Sequence, residues 1–325
     1  MKLLRWLVAI LAVLVAAAVG ALWVYFYVLH PTVKPPALVT APRTEAALAR
    51  GKYLVENVAA CLVCHSDTDA SSPGDPIKPG RLGSGRDFNI PDFPGHVRAA
   101  NLTPDREHGL GAWSDGEIVR AIREGISKND RPLFPMMPYG VYAFTLGDED
   151  ALAIVAYLRS LPALASDPGP MEVKFPVAMF VRAAPRPVDK PAPPEPPESD
   201  VVARGNWLLE VAVCAECHST MDNGRPREGM RFAGNDVPFV DGSVKVYAPN
   251  LTSDPANGIG AYADEDILRA LGEGIAKNGM PIYAMPVSAY RGMTDDDKRA
   301  IVAALRKLPA VVHAVPASTK PLLGR

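Results

Sequence analysis

The chain has 325 residues, a length that fits roughly two domains. Its formal net charge of -2 gives no electrostatic footprint for nucleic acid. Low aromatic content and 33 prolines suit compact helical units joined by extended segments better than a large sheet protein. All four cysteines fall in two short clusters, Cys61 with Cys64 and Cys214 with Cys217, which excludes a disulfide framework and points to a cofactor.

In chain order, Lys2 and Arg5 precede an uncharged run from Trp6 to Leu29. About 24 residues at about 1.5 Å each cross a hydrocarbon core of about 30 Å. Trp6 stands at one end of the run and Trp23, Tyr25, Phe26 and Tyr27 crowd the other, the placement of interfacial aromatic belts. The run continues through bulky residues into His30-Pro31, unlike a shorter cleaved signal with a small-residue cut site. We therefore expect residues 1–30 to be a retained signal-anchor, with its basic tail in the cytoplasm and everything after it outside.

The chain beyond this run is duplicated. Asn101-Leu102-Thr103-Pro104-Asp105 recurs as Asn250-Leu251-Thr252-Ser253-Asp254, and the copies run without a gap to Ile126 and Ile275. Upstream, Arg50-Gly51-Lys52-Tyr53-Leu54 echoes Arg204-Gly205-Asn206-Trp207-Leu208; downstream, Leu158-Arg159-Ser160-Leu161-Pro162 echoes Leu305-Arg306-Lys307-Leu308-Pro309. The period is too long for a solenoid, so the unit is a domain. We place the domains at 41–165 and 201–315, separated by an extended Pro-rich linker, 166–200, in which Val173–Val177 lies against a domain as an arm.

Within each copy the pattern is helical. Ser114-Asp115-Gly116-Glu117 reads as a capping box, and Thr294 followed by Asp295, Asp296 and Asp297 as a helix start. No long alternating run suggests a substantial sheet. Gly51 and Gly205 fit a close approach of the first helix to the last. The Asn-Leu-Thr strings match a glycosylation sequon but suit a local side-chain turn better.

The chemistry sits in Cys61-Leu62-Val63-Cys64-His65 and Cys214-Ala215-Glu216-Cys217-His218. Two thiols three apart on a helical turn can each add to a haem vinyl group, and the adjacent imidazole then ligates the iron. A zinc site would need further Cys or His at matched spacing, and a thioredoxin-type pair a βαβ setting; neither is present. Two covalently bound haem c groups are expected.

A sixth ligand must come from later in each copy: Met136, Met137, His96 or His108 in the first, and Met280, Met285, Met293 or His313 in the second. Neither His96 nor His108 has a histidine counterpart. Met137-Pro138 and Met285-Pro286 do match, each with a tyrosine, Tyr142 or Tyr290, five residues after the methionine. A gapless extension from Asn101 instead pairs Met136 with Met285, so Met136 stays a candidate. With His65 and Met137 on one iron and His218 and Met285 on the other, the metal is saturated and suited to electron transfer rather than bond chemistry. Trp113 and Tyr262, at one repeat position, either cover a haem edge or pack in the core.

These strings resemble a known family. Each copy resembles the class I cytochrome c fold, and the whole set resembles the cytochrome c subunits of periplasmic membrane-bound dehydrogenases of the alcohol type. The carrying strings are Arg50 to Val55, both Cys-x-x-Cys-His motifs, Asn101-Leu102-Thr103 with Gly109 to Asp115, and Pro135-Met136-Met137-Pro138-Tyr139. In the second copy they are Asn250-Leu251-Thr252 with Gly258 to Tyr262, and Ala284-Met285-Pro286.

The resemblance implies an all-α protein: two tandem class I cytochrome c domains after a single N-terminal transmembrane helix. It puts the ligand methionine directly before proline, which favours Met137 and Met285. It also implies a single-pass protein of the bacterial inner membrane with its haem domains in the periplasm. There it would carry electrons from a dehydrogenase donor to an oxidase or soluble cytochrome, with no catalytic residue of its own. The family's subunits commonly carry three haem domains, and their anchor is often elsewhere, which leaves the partner open. Two other functions are weighed: the cytochrome c subunit of a haem–copper oxidase, and a dihaem peroxidase. The peroxidase needs an open iron, which matched Met-Pro loops argue against.

Overall fold

The structure is a computed structural model that describes residues 1–69, 76–88, 90, 93–190, 192–222, 224–241, 244–282 and 284–319. It opens with α1 (Lys2–Trp23), which runs on into a π-helical turn, Val24–Val28. This 27-residue element is long and apolar enough to cross a membrane. Phe26 is its one buried residue.

Next comes α2 (Glu45–Tyr53), capped by the Thr44 hydroxyl accepting from Ala47 N, and continued by a π turn, Leu54–Val58. The turn ends where Ala60 adopts φ 50°, and the chain restarts as one turn, α3 (Cys61–Cys64). Then come α4 (Asp115–Glu124), α5 (Tyr139–Thr145) and α6 (Asp148–Ser160). The capping box of α4 forms as its sequence implies: Glu117 N donates to Ser114 Oγ and Ser114 N to Glu117 Oε2. A short helix, α7 (Val177–Ala183), precedes the second run of α8 (Val201–Val211), α9 (Cys214–Cys217), α10 (Asp264–Glu273), α11 (Val287–Tyr290) and α12 (Asp295–Leu305). Val213, before α9, repeats the left-handed conformation at φ 49°.

Two crossings organise the core, α2 on α6 and α8 on α12. A Cβ on Gly51 would lie 1.9 Å from the Ala153 carbonyl oxygen, and one on Gly205 1.9 Å from that of Ala300, so only glycine permits either crossing. Leu54, Leu146 and Ile154 fill the interior of the first set, and Leu208, Val211 and Ile301 that of the second. Full burial of such a side chain is worth about 1.5–3 kcal/mol.

Two features depart from the all-α, extended-linker reading. Short strands exist: β1 (Arg86–Phe88), β2 (Gly95–Ala99) and β3 (Glu172–Val173) form an antiparallel sheet with Phe88 opposite Val97 and Gly95 opposite Val173. β4 (Met221–Asp222) pairs with β5 (Arg225–Pro226), and β6 (Phe239–Asp241) with β7 (Val244–Val246). Strands of two to five residues are too short to display alternation. The segment 166–200 is likewise not extended throughout. Its start does supply a strand, β3, but Val177–Ala183 is proline-free and turns helical.

The two sets of helices meet directly. Trp207 Nε1 donates to the Thr145 carbonyl at 2.8 Å, Thr294 N donates to the Tyr53 hydroxyl at 3.2 Å, and that hydroxyl donates to Asp297. Tyr53 and Trp207 occupy the same repeat position, so each set offers its first helix to the other. Glu195 closes the seam, meeting Arg50 at 2.6 Å and Arg204 at 2.7 Å.

Candidate haem sites

Each Cys-x-x-Cys turn presents its sulfurs and histidine from one compact loop. His65 N donates to Cys61 O at 3.0 Å, and His218 N to Cys214 O at 3.0 Å. Desolvation pushes both the Cys61 and the Cys214 thiol up to about 12, and raises Cys64 and Cys217 as well. Desolvation outweighs the nearby Arg86 and Arg231 charges, which favours neutral thiols over the lowered-pKa thiolate of a redox-active pair.

The imidazoles are aimed by backbone. His65 Nδ1 lies 2.7 Å from the Ala100 carbonyl oxygen and His218 Nδ1 2.8 Å from that of Pro249. A carbonyl only accepts, so Nδ1 carries the proton and Nε2 keeps its lone pair for a metal. Burial lowers the pKa of both rings, which favours the neutral form a ligand requires.

The Asn-Leu-Thr strings hold those carbonyls in place. Asn101 Oδ1 accepts from Thr103 N at 2.8 Å and from Thr103 Oγ1 at 2.7 Å, while its Nδ2 donates to Leu164 O and Ser166 O. Asn250 repeats this with Thr252, Val311 and His313. Both asparagines are almost fully buried, so these are turn-forming residues. Sequence reasoning found the turn but missed its task, because the group that meets histidine is the main chain of the preceding residue.

An arginine clamp was also missed. Arg159 donates to Leu110 O at 2.6 Å, to Trp113 O and to Asp115; Arg306 donates to Ile259 O at 3.0 Å, to Tyr262 O at 2.6 Å and to Asp264. Its signal was present in the Leu-Arg echo of Arg159 and Arg306. Trp113 and Tyr262 pack against the core, and each has its carbonyl held by this clamp.

Among the sixth-ligand candidates the environments differ sharply. His96 is exposed on β2, and His108 stands in a turn where Asp105 accepts from its backbone N–H, the position Asn257 fills beside Asp254. His313 has both ring nitrogens engaged, by Ala233 O and Asp236. Met293 is buried in the core, and Met280 donates its N–H to Asn278. Met136 is 45% exposed. Met137 and Met285 both pack against the core and share one local turn: Tyr139 N donates to Met137 O at 2.8 Å, and Val287 N to Met285 O at 2.7 Å.

The Met-loop register is set by hydrogen bonds upstream. Leu133 N donates to Gly125 O and Ile282 N to Gly274 O, so the gapless repeat persists to there. The first copy then carries one extra residue before Met137, which aligns Met137 rather than Met136 with Met285.

The donor set fits a haem in each place: two neutral thiols on a turn, an imidazole with Nε2 to spare, and apolar walls that include Leu62 and Tyr142, or Ala215 and Tyr290.

Comparison with known proteins agrees with this chemistry. Residues 48–162 match the cytochrome c family and form a cytochrome c domain, whose haem c is bound covalently. The chain is 30% identical to the cytochrome c subunit of the quinone alcohol dehydrogenase of Gluconobacter oxydans, over 91% of this chain and 60% of that protein. It is 30% identical to the fructose dehydrogenase cytochrome subunit of Gluconobacter japonicus, over 86% of this chain and 56% of that protein. It therefore spans less than two thirds of those relatives. A diheme cytochrome c-type protein of Cereibacter sphaeroides is 27% identical, over 94% of this chain and 99% of its own length.

Proposed function

We propose that the chain is a membrane-anchored dihaem electron carrier. Residues 1–30 are the signal-anchor of a single-pass bacterial inner-membrane protein, 41–165 and 201–315 are tandem class I cytochrome c domains on the periplasmic side, and 166–200 joins them. Cys61 and Cys64 bind one haem and Cys214 and Cys217 the other. His65 and Met137 ligate the first iron, His218 and Met285 the second.

When bound, haem c supplies reversible one-electron exchange between ferric and ferrous iron. The residues set the conditions for that exchange. The Ala100 and Pro249 carbonyls fix each imidazole in one tautomer and orientation. Thioether ligands from Met137 and Met285 would favour the reduced state. With His65 and Met137 holding one iron and His218 and Met285 the other, no position would remain for a substrate, and the role would be relay rather than catalysis. The direct contact of the two helix sets, Trp207 with Thr145 and Tyr53 with Thr294, supports passage of electrons within one molecule.

The dehydrogenase subunits among the relatives support a dehydrogenase as donor, with an oxidase or soluble cytochrome as acceptor. The observation that carries the proposal is the repetition, residue for residue, of a Cys-x-x-Cys-His turn whose imidazole is anchored by the carbonyl before a buried asparagine. Pyridine haemochrome analysis against protein mass tests it: two haems per polypeptide are expected, and a single haem would overturn it.

A further inference from the structure

The outer end of α1 is clamped to α7. The Phe26 and Phe180 rings meet edge to face at 5.7 Å, which is how Phe26 comes to be buried. Arg182 donates to Phe26 O and His30 O, both at 2.9 Å, and its guanidinium lies 5.1 Å from the centre of the Tyr27 ring. These bonds satisfy carbonyls at the helix end that otherwise lack partners.

The same clamp fixes the height of α7. The 27 residues of α1 and its π turn measure about 40 Å at about 1.5 Å per residue, against about 30 Å of hydrocarbon. The final turn, with Tyr25 and Tyr27, therefore stands at headgroup level, and α7 stands beside it. Phe180 of α7 and Phe175, two residues before the helix begins, leave their rings uncovered, at 63% and 75% exposure. Lys174 and Arg186 flank them and are exposed. Apolar rings bordered by cations suit the boundary between acyl chains and anionic headgroups.

We propose that α7 is a second membrane contact, with Phe175 and Phe180 seated in the interface of the bilayer that α1 crosses. The proposal rests on the reading of α1 as a membrane span. Its consequence is a first haem site held at a set height over the membrane, rather than one swinging on a tether.

The test uses the full-length, haem-loaded chain in nanodiscs of phosphatidylethanolamine and phosphatidylglycerol. Val13→Cys, Phe175→Cys, Phe180→Cys and Val312→Cys are each labelled with a benzophenone maleimide, the native cysteines being held by haem. After illumination, lipid adducts are read by intact mass. Adducts at positions 13, 175 and 180 but not at the exposed position 312 are expected. Adducts at 13 alone overturn the α7 contact and leave the span standing. No adduct at 13, 175 or 180 removes the span and the contact with it.

Discussion

In the first half of the molecule α4 is covered, and in the second half its counterpart α10 is open. Ala37 O passes so close to Gly116 that a Cβ there would be 1.9 Å away. Arg120, 5% exposed, donates to Lys34 O at 3.0 Å and to Ser127 O at 2.6 Å, and Lys34 in turn pairs with Asp189 of the spacer. The extended chain leaving α1 and the Pro-rich spacer thus both lie along α4. At the equivalent positions Glu265, Arg269 and Glu273 line a cleft of about 550 Å³ together with Arg291 and Lys298. One helix type, with its arginine and glutamate four residues apart in both copies, serves as an attachment surface in one place and a free surface in the other. The first half is stitched to the chain leaving the long apolar helix α1; the second is held through the first.

Substitutions that treat the two halves alike, or unlike, sharpen this contrast. The largest effect should come from the two methionines proposed as iron ligands. Met137→Ala and Met285→Ala should each lower the potential of one haem, within the range of about 0.8 V that axial ligation commands, and leave the other unchanged. Redox titration followed by haem absorbance reads both; a Met136→Ala variant should titrate as the wild type.

The helix crossings come next. Gly51→Ala and Gly205→Ala each drive a methyl group into a carbonyl and should cost about 1–3 kcal/mol or more, equally in the two halves. Denaturation monitored through each haem band checks this, and a tolerated substitution at either site would break the symmetry.

The covered and open helices should then part company. Arg120→Ala leaves the buried Ser127 carbonyl and the Lys34 carbonyl without their charged donor and should cost about 2 kcal/mol, whereas Arg269→Ala, at the cleft, should cost about 0.5 kcal/mol or less. The same denaturation measurement separates them. Smallest is Glu195→Gln, which weakens the carboxylate bridge between Arg50 and Arg204 while many seam contacts remain. Hydrogen exchange should rise at the seam, around Tyr53 and Trp207, without loss of the fold.

Much of this arrangement is legible in the sequence because side-chain identity carries it. The cysteine turns, the Ser114 and Thr294 caps and the paired glycines all declare themselves by residue type and spacing. Backbone-borne roles do not. Nothing in Ala100 or Pro249 marks them as histidine acceptors, since any residue offers a carbonyl. The Met-Pro pairs and the tyrosines five residues after the methionines favour Met137 over Met136 in the sequence, and the Gly125 and Gly274 hydrogen bonds add that the repeat stays gapless until just before those pairs. Helix α7 was hidden by prolines on either side of it, and the seam by bonds between residues far apart in the chain, such as Trp207 with Thr145.

The methionine-to-iron charge-transfer band of the oxidised protein, quantified per polypeptide, tests the ligand set most directly. An intensity of two such centres is expected in the wild type, with half of it lost in Met137→Ala and half in Met285→Ala. An intensity of one in the wild type, or an undiminished band in either variant, would contradict that ligand set.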